Sequence, residues 1–328
     1  MKGLKLTAYG DPSEVVEFVD VPEVSAPGDD EVVIDIEASS VEPTDLYIIA
    51  GIYGALPPLP HLLGAQGVGR VAAVGSAVKH LKVGDRTLVP PLSNAWVEQV
   101  KTNAPWLRPL PDADVNQLAM LGINPATAYL QLTEIVPVQA GEWVVQNAAN
   151  SGVGRSLMAV ARAKGIKTVN VVRRDALVDE LKALGGDVVL VDGPDLPQRI
   201  ADATGSAKIR LAVDGVGGTA TQRLLDTVGH SGTVVVYTSM SGEPLTVPGP
   251  SLLFANQTIR GFWIVNWFQE QTTFDKITAM YQDLADLVAA GALSLPVIGE
   301  FALEQYPEAL ALAGQYRGKV IFKPSVRQ

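Results

Sequence analysis

The sequence predicts an α/β protein in which a doubly wound parallel sheet stands beside a smaller, β-rich domain. Strand and helix periodicities alternate from about Gly122 onward, and short strands broken by Pro and Gly precede them. The 328 residues exceed the size at which a single hydrophobic core stops growing, so two domains are expected. Hydrophobic residues make up 47% and charged residues 18%, a balance that can fill large cores and is not that of a disordered chain.

In the first part, Val15–Val19 and Val32–Ile36 are alternating or continuous apolar runs. Gly67–Val74 and Thr87–Pro90 continue the pattern, with turns at Gly75-Ser76 and Gly84-Asp85. Past Gly122, Trp143–Ala149 reads as a buried strand. Val153–Ala163 then reads as a helix, with Val153, Leu157, Val160 and Ala161 on one face. Thr168–Val172 is a second strand, Ala176–Leu184 a second helix and Val188–Val191 a third strand. Ile209–Val213 and Thr233–Tyr237 follow, with a helix around Ala220–Thr227 between them. Alternation of this kind implies parallel strands joined by right-handed crossovers. Thr258–Ile264 reads as a further strand and Phe274–Ala290 as a long amphipathic helix, and the tail Ile298–Pro324 returns to short strands and turns. The expected division is 1–121 with 297–328 for the β-rich domain and 122–296 for the doubly wound one.

The net charge of −10 disfavours nucleic acid and anionic membrane surfaces as partners, though local donors can still hold a small anion. With no cysteine, disulfides and thiol catalysis are excluded and the usual soft zinc ligands are missing. Gly10, Asp11 and Glu14 interrupt any signal-peptide apolar region after the start, and no apolar run is long enough to span a bilayer. A soluble, cytoplasmic protein is the expectation.

The sharpest motif is Gln146–Gly154, between a strand and a helix. Ala149 and Ser151 stand at the first two positions of a glycine-rich dinucleotide turn and Gly154 at the third. Small residues there permit a tight turn and let helix N-terminal amides face a pyrophosphate. The alternative is a small-residue turn in some other α/β protein. Arg173 lies 19 residues past Gly154, where an NAD site usually places an acid for the ribose 2′-hydroxyl. Arg173 and Arg174 instead suit the 2′-phosphate of NADPH, because a guanidinium offers planar, multidentate donors. Solvated arginines with Asp175 on the ribose are the alternative.

Five segments carry a family resemblance: Gly51–Gly54 with its downstream prolines, Asn124–Tyr129, Asn147–Gly154, Asn170–Arg173 and Arg260–Trp263. On these the chain resembles the medium-chain dehydrogenase/reductase superfamily over nearly its whole length. Within it the chain is similar to zinc-free 2-enoyl thioester reductases of the mitochondrial type and to quinone reductases. The resemblance implies a Rossmann sheet, a discontinuous GroES-like catalytic domain built from both chain ends, a cofactor cleft between them and a homodimer. Zinc members carry a Gly-His-Glu segment, and the matching stretch here, Gly64-Ala65-Gln66-Gly67, has neither the His nor the Glu. No metal is expected.

By the same resemblance Tyr53 matches the proton-donating tyrosine, and a phenol stays protonated at neutral pH. The alternative is that Tyr53 only packs in its loop. Asn124 and Thr127 resemble contacts to the nicotinamide end, although Asn124 before Pro125 is also a strong helix-start signal. The segments Tyr237-Thr238-Ser239-Met240 and Phe262-Trp263-Ile264-Val265 resemble those flanking the nicotinamide, and Lys319 matches a cofactor contact or is a surface lysine. The cofactor-binding set is then Asn124, Thr127, Asn150, Ser151, Gly152, Val153, Gly154, Arg173, Arg174, Asp175, these two segments and Lys319. The implied reaction reduces the C=C bond of an enoyl thioester with NADPH: hydride to the β-carbon, proton from Tyr53 to the α-carbon. Leu88–Val97 is shorter than in the close reductases, which leaves quinones, small enones and haloacrylates as alternative acceptors. A non-catalytic NADPH-binding protein is the alternative of another class.

Overall fold

The computed structural model describes residues 1–270 and 272–324. The chain forms two compact units, Met1–Ile123 with Thr273–Gln328, and Asn124–Thr272. Strands run along it as β1 (Lys2–Leu6), β2 (Val16–Asp20), β3 (Glu31–Val41), β4 (His61–Leu62), β5 (Gly67–Val74), β6 (Arg86–Val89) and β7 (Gln99–Asn103). Then come β8 (Trp143–Gln146), β9 (Lys167–Val172), β10 (Val188–Val191), β11 (Leu211–Asp214), β12 (Thr233–Val236) and β13 (Thr258–Gly261), and finally β14 (Val297–Phe301) and β15 (Lys319–Phe322).

In the first unit, among the described residues, β2, β1 and β4 form a small antiparallel sheet. A second sheet runs β14-β15-β3-β5-β6, with β7 also paired to β3. The long strand β3 organises this unit, because Val32, Ile34, Ile36 and Ala38 are buried along it. Gly69 on β5 is needed where the two strands close up: a Cβ there would lie 2.0 Å from the Asp35 carbonyl oxygen. The tail returns through β15, antiparallel to β3 with Val320 opposite Val41. Leu4, Leu6, Ile49, Leu63, Trp96 and Phe322 close one core, in which the Trp96 and Phe322 rings meet edge to face at 5.0 Å.

The second unit is built on a parallel sheet of order β10-β9-β8-β11-β12-β13 among the described residues. Val145 of β8 lies between Val169 of β9 and Ala212 of β11, all fully buried, as β-branched and small residues are on a sheet covered on both faces. The helix Gly152–Ala163 links β8 to β9 and buries Val153, Leu157, Val160 and Ala161, the face its spacing predicts.

Several boundaries differ from the sequence expectation. Residues 12–15 form a helical turn capped by Asp11, so the strand expected from Val15 starts at Val16. β8 ends at Gln146 because Ala148 adopts a left-handed φ of 47°, which no strand accommodates. β13 ends at Gly261, and Ile264–Glu270 is helical instead. Helices also occupy Leu196–Thr204, where none is expected, and Tyr306–Ala313, inside the tail expected to hold strands and turns. No helix among the described residues is long and apolar enough to cross a membrane.

Candidate functional site

The turn after β8 is held from several sides. The Asn147 amide donates to the Val213 carbonyl at 3.1 Å and the Ala149 amide to Val171 at 3.2 Å, so the chain leaves the sheet between two neighbouring strands. Ser151 is the N-cap of the helix Gly152–Ala163, its hydroxyl accepting from the Gly154 amide at 3.1 Å. A Cβ on Gly154 would lie 2.5 Å from the Ala149 carbonyl oxygen, so only glycine lets the helix start this close to the strand it follows. Gln146 locks the same point from below, donating to the Gly154 carbonyl at 2.9 Å and to Asn170 at 2.8 Å. No acidic residue sits in the helix's first turn, so the partial positive charge of its N-terminus is unopposed there.

A second turn, which the sequence reading missed, is tied to the first. Asn147 donates to Asp214 at 2.7 Å and accepts from the Gly215 amide at 2.7 Å. Asp214 also accepts from the Val216 and Gly217 amides and from the Thr221 hydroxyl. A Cβ at Gly215 would collide with the Tyr237 hydroxyl, and one at Gly217 with the Ser239 hydroxyl. Gly215-Val216-Gly217-Gly218 is thus a narrow glycine turn beside the Ser151 turn, and its glycine spacing was the available signal. Burial pushes the Tyr237 hydroxyl up to about 12, against the lowering effect of its hydrogen bond with Ser151.

The remaining cofactor candidates of this unit fall into distinct environments. Asn124 and Thr127 are buried on the helix Asn124–Leu130. Asn150 is half-buried and its carbonyl accepts from Arg155 at 3.1 Å. Arg173, Arg174 and Asp175 are exposed just past the end of β9, and neither guanidinium is paired with a carboxylate among the described residues. Thr238 is half-buried, whereas Ser239 and Met240 are exposed. Phe262 and Ile264 are buried, Val265 is half-buried, and Trp263 is partly exposed.

Tyr53 and Lys319 belong to the first unit. Tyr53 follows the short helix Pro43–Ile49 and packs, half-buried, against the core containing Ile49, Trp96 and Phe322. Lys319 is buried, not a surface lysine, and its ammonium lies 2.5 Å from the Glu42 carboxylate. Glu42 also accepts from Gln66 at 2.7 Å and from the Ser40 hydroxyl at 3.0 Å. The Gln66 side chain in turn donates to Ser40 and accepts from the Ile123 amide at 2.9 Å. Asp45 accepts from the Glu42 and Ala65 amides at 2.8 and 2.9 Å. Burial first, and the Glu42 charge as well, push the Asp45 carboxyl up to about 8, against the two amides and Lys319. Sequence reasoning missed this cluster, whose members come from four separate stretches.

A zinc ion does not fit these donors. Gln66, in the stretch where zinc members carry a ligand, has its carboxamide committed at both ends. No group of three or more His, Cys, Asp and Glu among the described residues could hold a metal ion.

Known proteins bear on both units. Residues 152–283 match the family described as zinc-binding dehydrogenase, and residues 28–149 match the alcohol dehydrogenase GroES-like domain. The mitochondrial enoyl-[acyl-carrier-protein] reductase of Xenopus tropicalis is 34% identical over 318 residues, covering 94% of this chain and 91% of that protein. A quinone oxidoreductase of Pseudomonas syringae is 30% identical at a TM-score of 0.83, covering 98% of this chain and 99% of that one. The Escherichia coli quinone oxidoreductase complexed with NADPH is 25% identical at a TM-score of 0.85, covering 99% and 100%.

Proposed function

The chain belongs to the medium-chain dehydrogenase/reductase superfamily, and from that membership we propose that it is an NADPH-dependent reductase of the C=C bond of enoyl thioesters. The observation that carries the reading is the Ser151 turn: a capped helix N-terminus, seated on its strand by Gly154, beside a second glycine turn at Gly215–Gly218. Such a cradle suits a pyrophosphate, because close backbone approach lets unpaired amides do the binding. The free guanidinium groups of Arg173 and Arg174 suit a ribose 2′-phosphate. Asn124 and Thr127, with the segments at 237–240 and 262–265, would hold the nicotinamide end. NADPH supplies a hydride for the β-carbon of the acceptor.

The chain's own contribution is a proton and its placement. Tyr53 gives the phenolic proton to the α-carbon, and electrons of the reduced double bond take it up. A phenol suits this step because it is protonated at neutral pH yet becomes a competent anion once the proton leaves. The identity to enoyl reductases over 94% of the chain favours thioesters over quinones. The quinone oxidoreductase likenesses keep quinones and small enones as the second reading.

Loss of NADPH absorbance, followed with crotonyl-CoA and with a panel of quinones and enones, tests both. Faster consumption with the thioester, and a fall in kcat of about 100-fold or more in Tyr53→Phe, are expected. Equal turnover in that variant would remove Tyr53 from the mechanism. Preference for quinones would move the assignment to the second reading.

A further inference from the structure

The buried cluster around Lys319 is tied to the segment that carries Tyr53. β3 ends at Val41, opposite Val320 of β15. One residue further, Glu42 and Lys319 meet, and the chain turns directly into the helix Pro43–Ile49. At this end the helix is bound through two carboxyl side chains. Glu42 is held by Lys319, Gln66 and Ser40, and Asp45 takes the Glu42 and Ala65 amides. Its other end is held as well. The Gly10 amide donates to the Ile49 carbonyl at 2.9 Å, and Gly51, with φ of 74°, has so little room that a Cβ would lie 2.8 Å from Tyr9. The Ile52 and Tyr53 amides both return to the Tyr47 carbonyl, at 3.0 and 3.2 Å. The segment from Glu42 to Tyr53 is thus anchored at both of its ends.

We propose that Glu42 is a positioning residue, whose carboxylate, clamped by Lys319, Gln66 and Ser40, fixes the segment that presents the Tyr53 phenol. Where zinc members of the superfamily use this stretch for a metal ligand, this chain uses Gln66 and a lysine ammonium to lock a catalytic loop. A buried ion pair is a poor source of net stability, since desolvation offsets most of the Coulomb gain. Its value lies in geometry: a carboxylate with three directed donors tolerates one arrangement only. The proposal rests on the reductase reading for what Tyr53 does. It stands on its own for how Tyr53 is held.

Glu42→Gln tests it, because the amide keeps the volume but presents an N–H toward one of the three donors. Two readouts are taken on the full chain. Hydrogen exchange measured by mass spectrometry on peptides spanning 43–54 is expected to quicken about tenfold, with the strand Trp143–Gln146 unchanged as the control for folding. Steady-state kinetics with NADPH and crotonyl-CoA are expected to show kcat falling about 100-fold while both KM values stay within about twofold. A purely structural role would not confine its effect to kcat. If Glu42→Gln fails to fold, Ser40→Ala, which removes one hydrogen bond to Glu42 and the one Gln66 donates to Ser40, is expected to show the same pattern at smaller size.

Unchanged exchange over 43–54 overturns the clamp, whatever the kinetics. Faster exchange with an unchanged kcat, or with the loss carried by KM, overturns the positioning role. A wild-type protein that consumes no acceptor sinks the reductase reading instead, and the exchange comparison then decides the clamp alone.

Discussion

Asp45 is a carboxyl whose neighbours work against each other. Two backbone amides and Lys319 favour its anion, while burial and the Glu42 charge favour the neutral acid and prevail, raising it from 3.8 to about 8. In the unfolded chain the same group titrates near its ordinary value. Between about pH 4 and 8 the folded protein therefore holds a proton that the unfolded chain has released, and stability falls as pH rises through that window. The slope for one such group reaches about 1.4 kcal/mol per pH unit. Urea midpoints measured across this range should decline for the wild type and flatten for Asp45→Asn. That variant also loses an acceptor for one of two backbone amides, which lowers its stability by a constant amount and leaves the slope as the diagnostic. Parallel curves for the two proteins would show that Asp45 ionises normally.

At the level of elements, the proposed cofactor site would use the C-terminal end of β9 for the ribose, as doubly wound sheets do. Arg173 and Arg174 follow it, exposed and without carboxylate partners among the described residues. Replacing both with Ala should weaken NADPH binding about 10- to 100-fold, the worth of one or two charge-assisted hydrogen bonds, and leave NADH nearly unaffected. Calorimetry with the two nucleotides decides it: no loss for either would reassign both arginines to solvent, and equal losses would place them on a part common to both nucleotides. Elements like β5 and β10 were legible in the sequence because their apolar runs end at turn residues, and the face of the helix after β8 was legible from its spacing. The helix Leu196–Thr204 was not: it buries only Leu196 and Ile200, too few to set a period. In the tail, Ala309, Leu310 and Ala313 carry a helix where a run of small apolar residues fits either structure. Site residues divide the same way. Ser151 and Gly154 act within a few positions of one another and show as a motif. Asn147 and Asp214 stand 67 residues apart, and Glu42 and Lys319 stand 277 apart, so each pair exists only once the chain has folded.

Across the whole molecule, the likeness to zinc-binding dehydrogenases and the chemistry of the side chains pull in different directions. The chain has no cysteine and three histidines, His61, His80 and His230. His80 is spent on the Ala104 carbonyl at 2.8 Å, and His230 lies in the other unit beside Ser231. His61 sits on β4 with its imidazolium disfavoured by burial, but no cluster of further ligands joins it among the described residues. The buried carboxylate best placed to attract a cation, Glu42, already holds an ammonium at 2.5 Å. A divalent ion would have to displace Lys319 and leave a second positive charge buried without a partner, which costs several kcal/mol. Turnover with NADPH should therefore survive prolonged treatment with a strong zinc chelator, and the purified protein should carry far less than one zinc per chain by elemental analysis. Stoichiometric zinc whose removal stops the reaction would mean that Gln66 and Glu42 rearrange around a metal, and the lysine clamp would fall with that result.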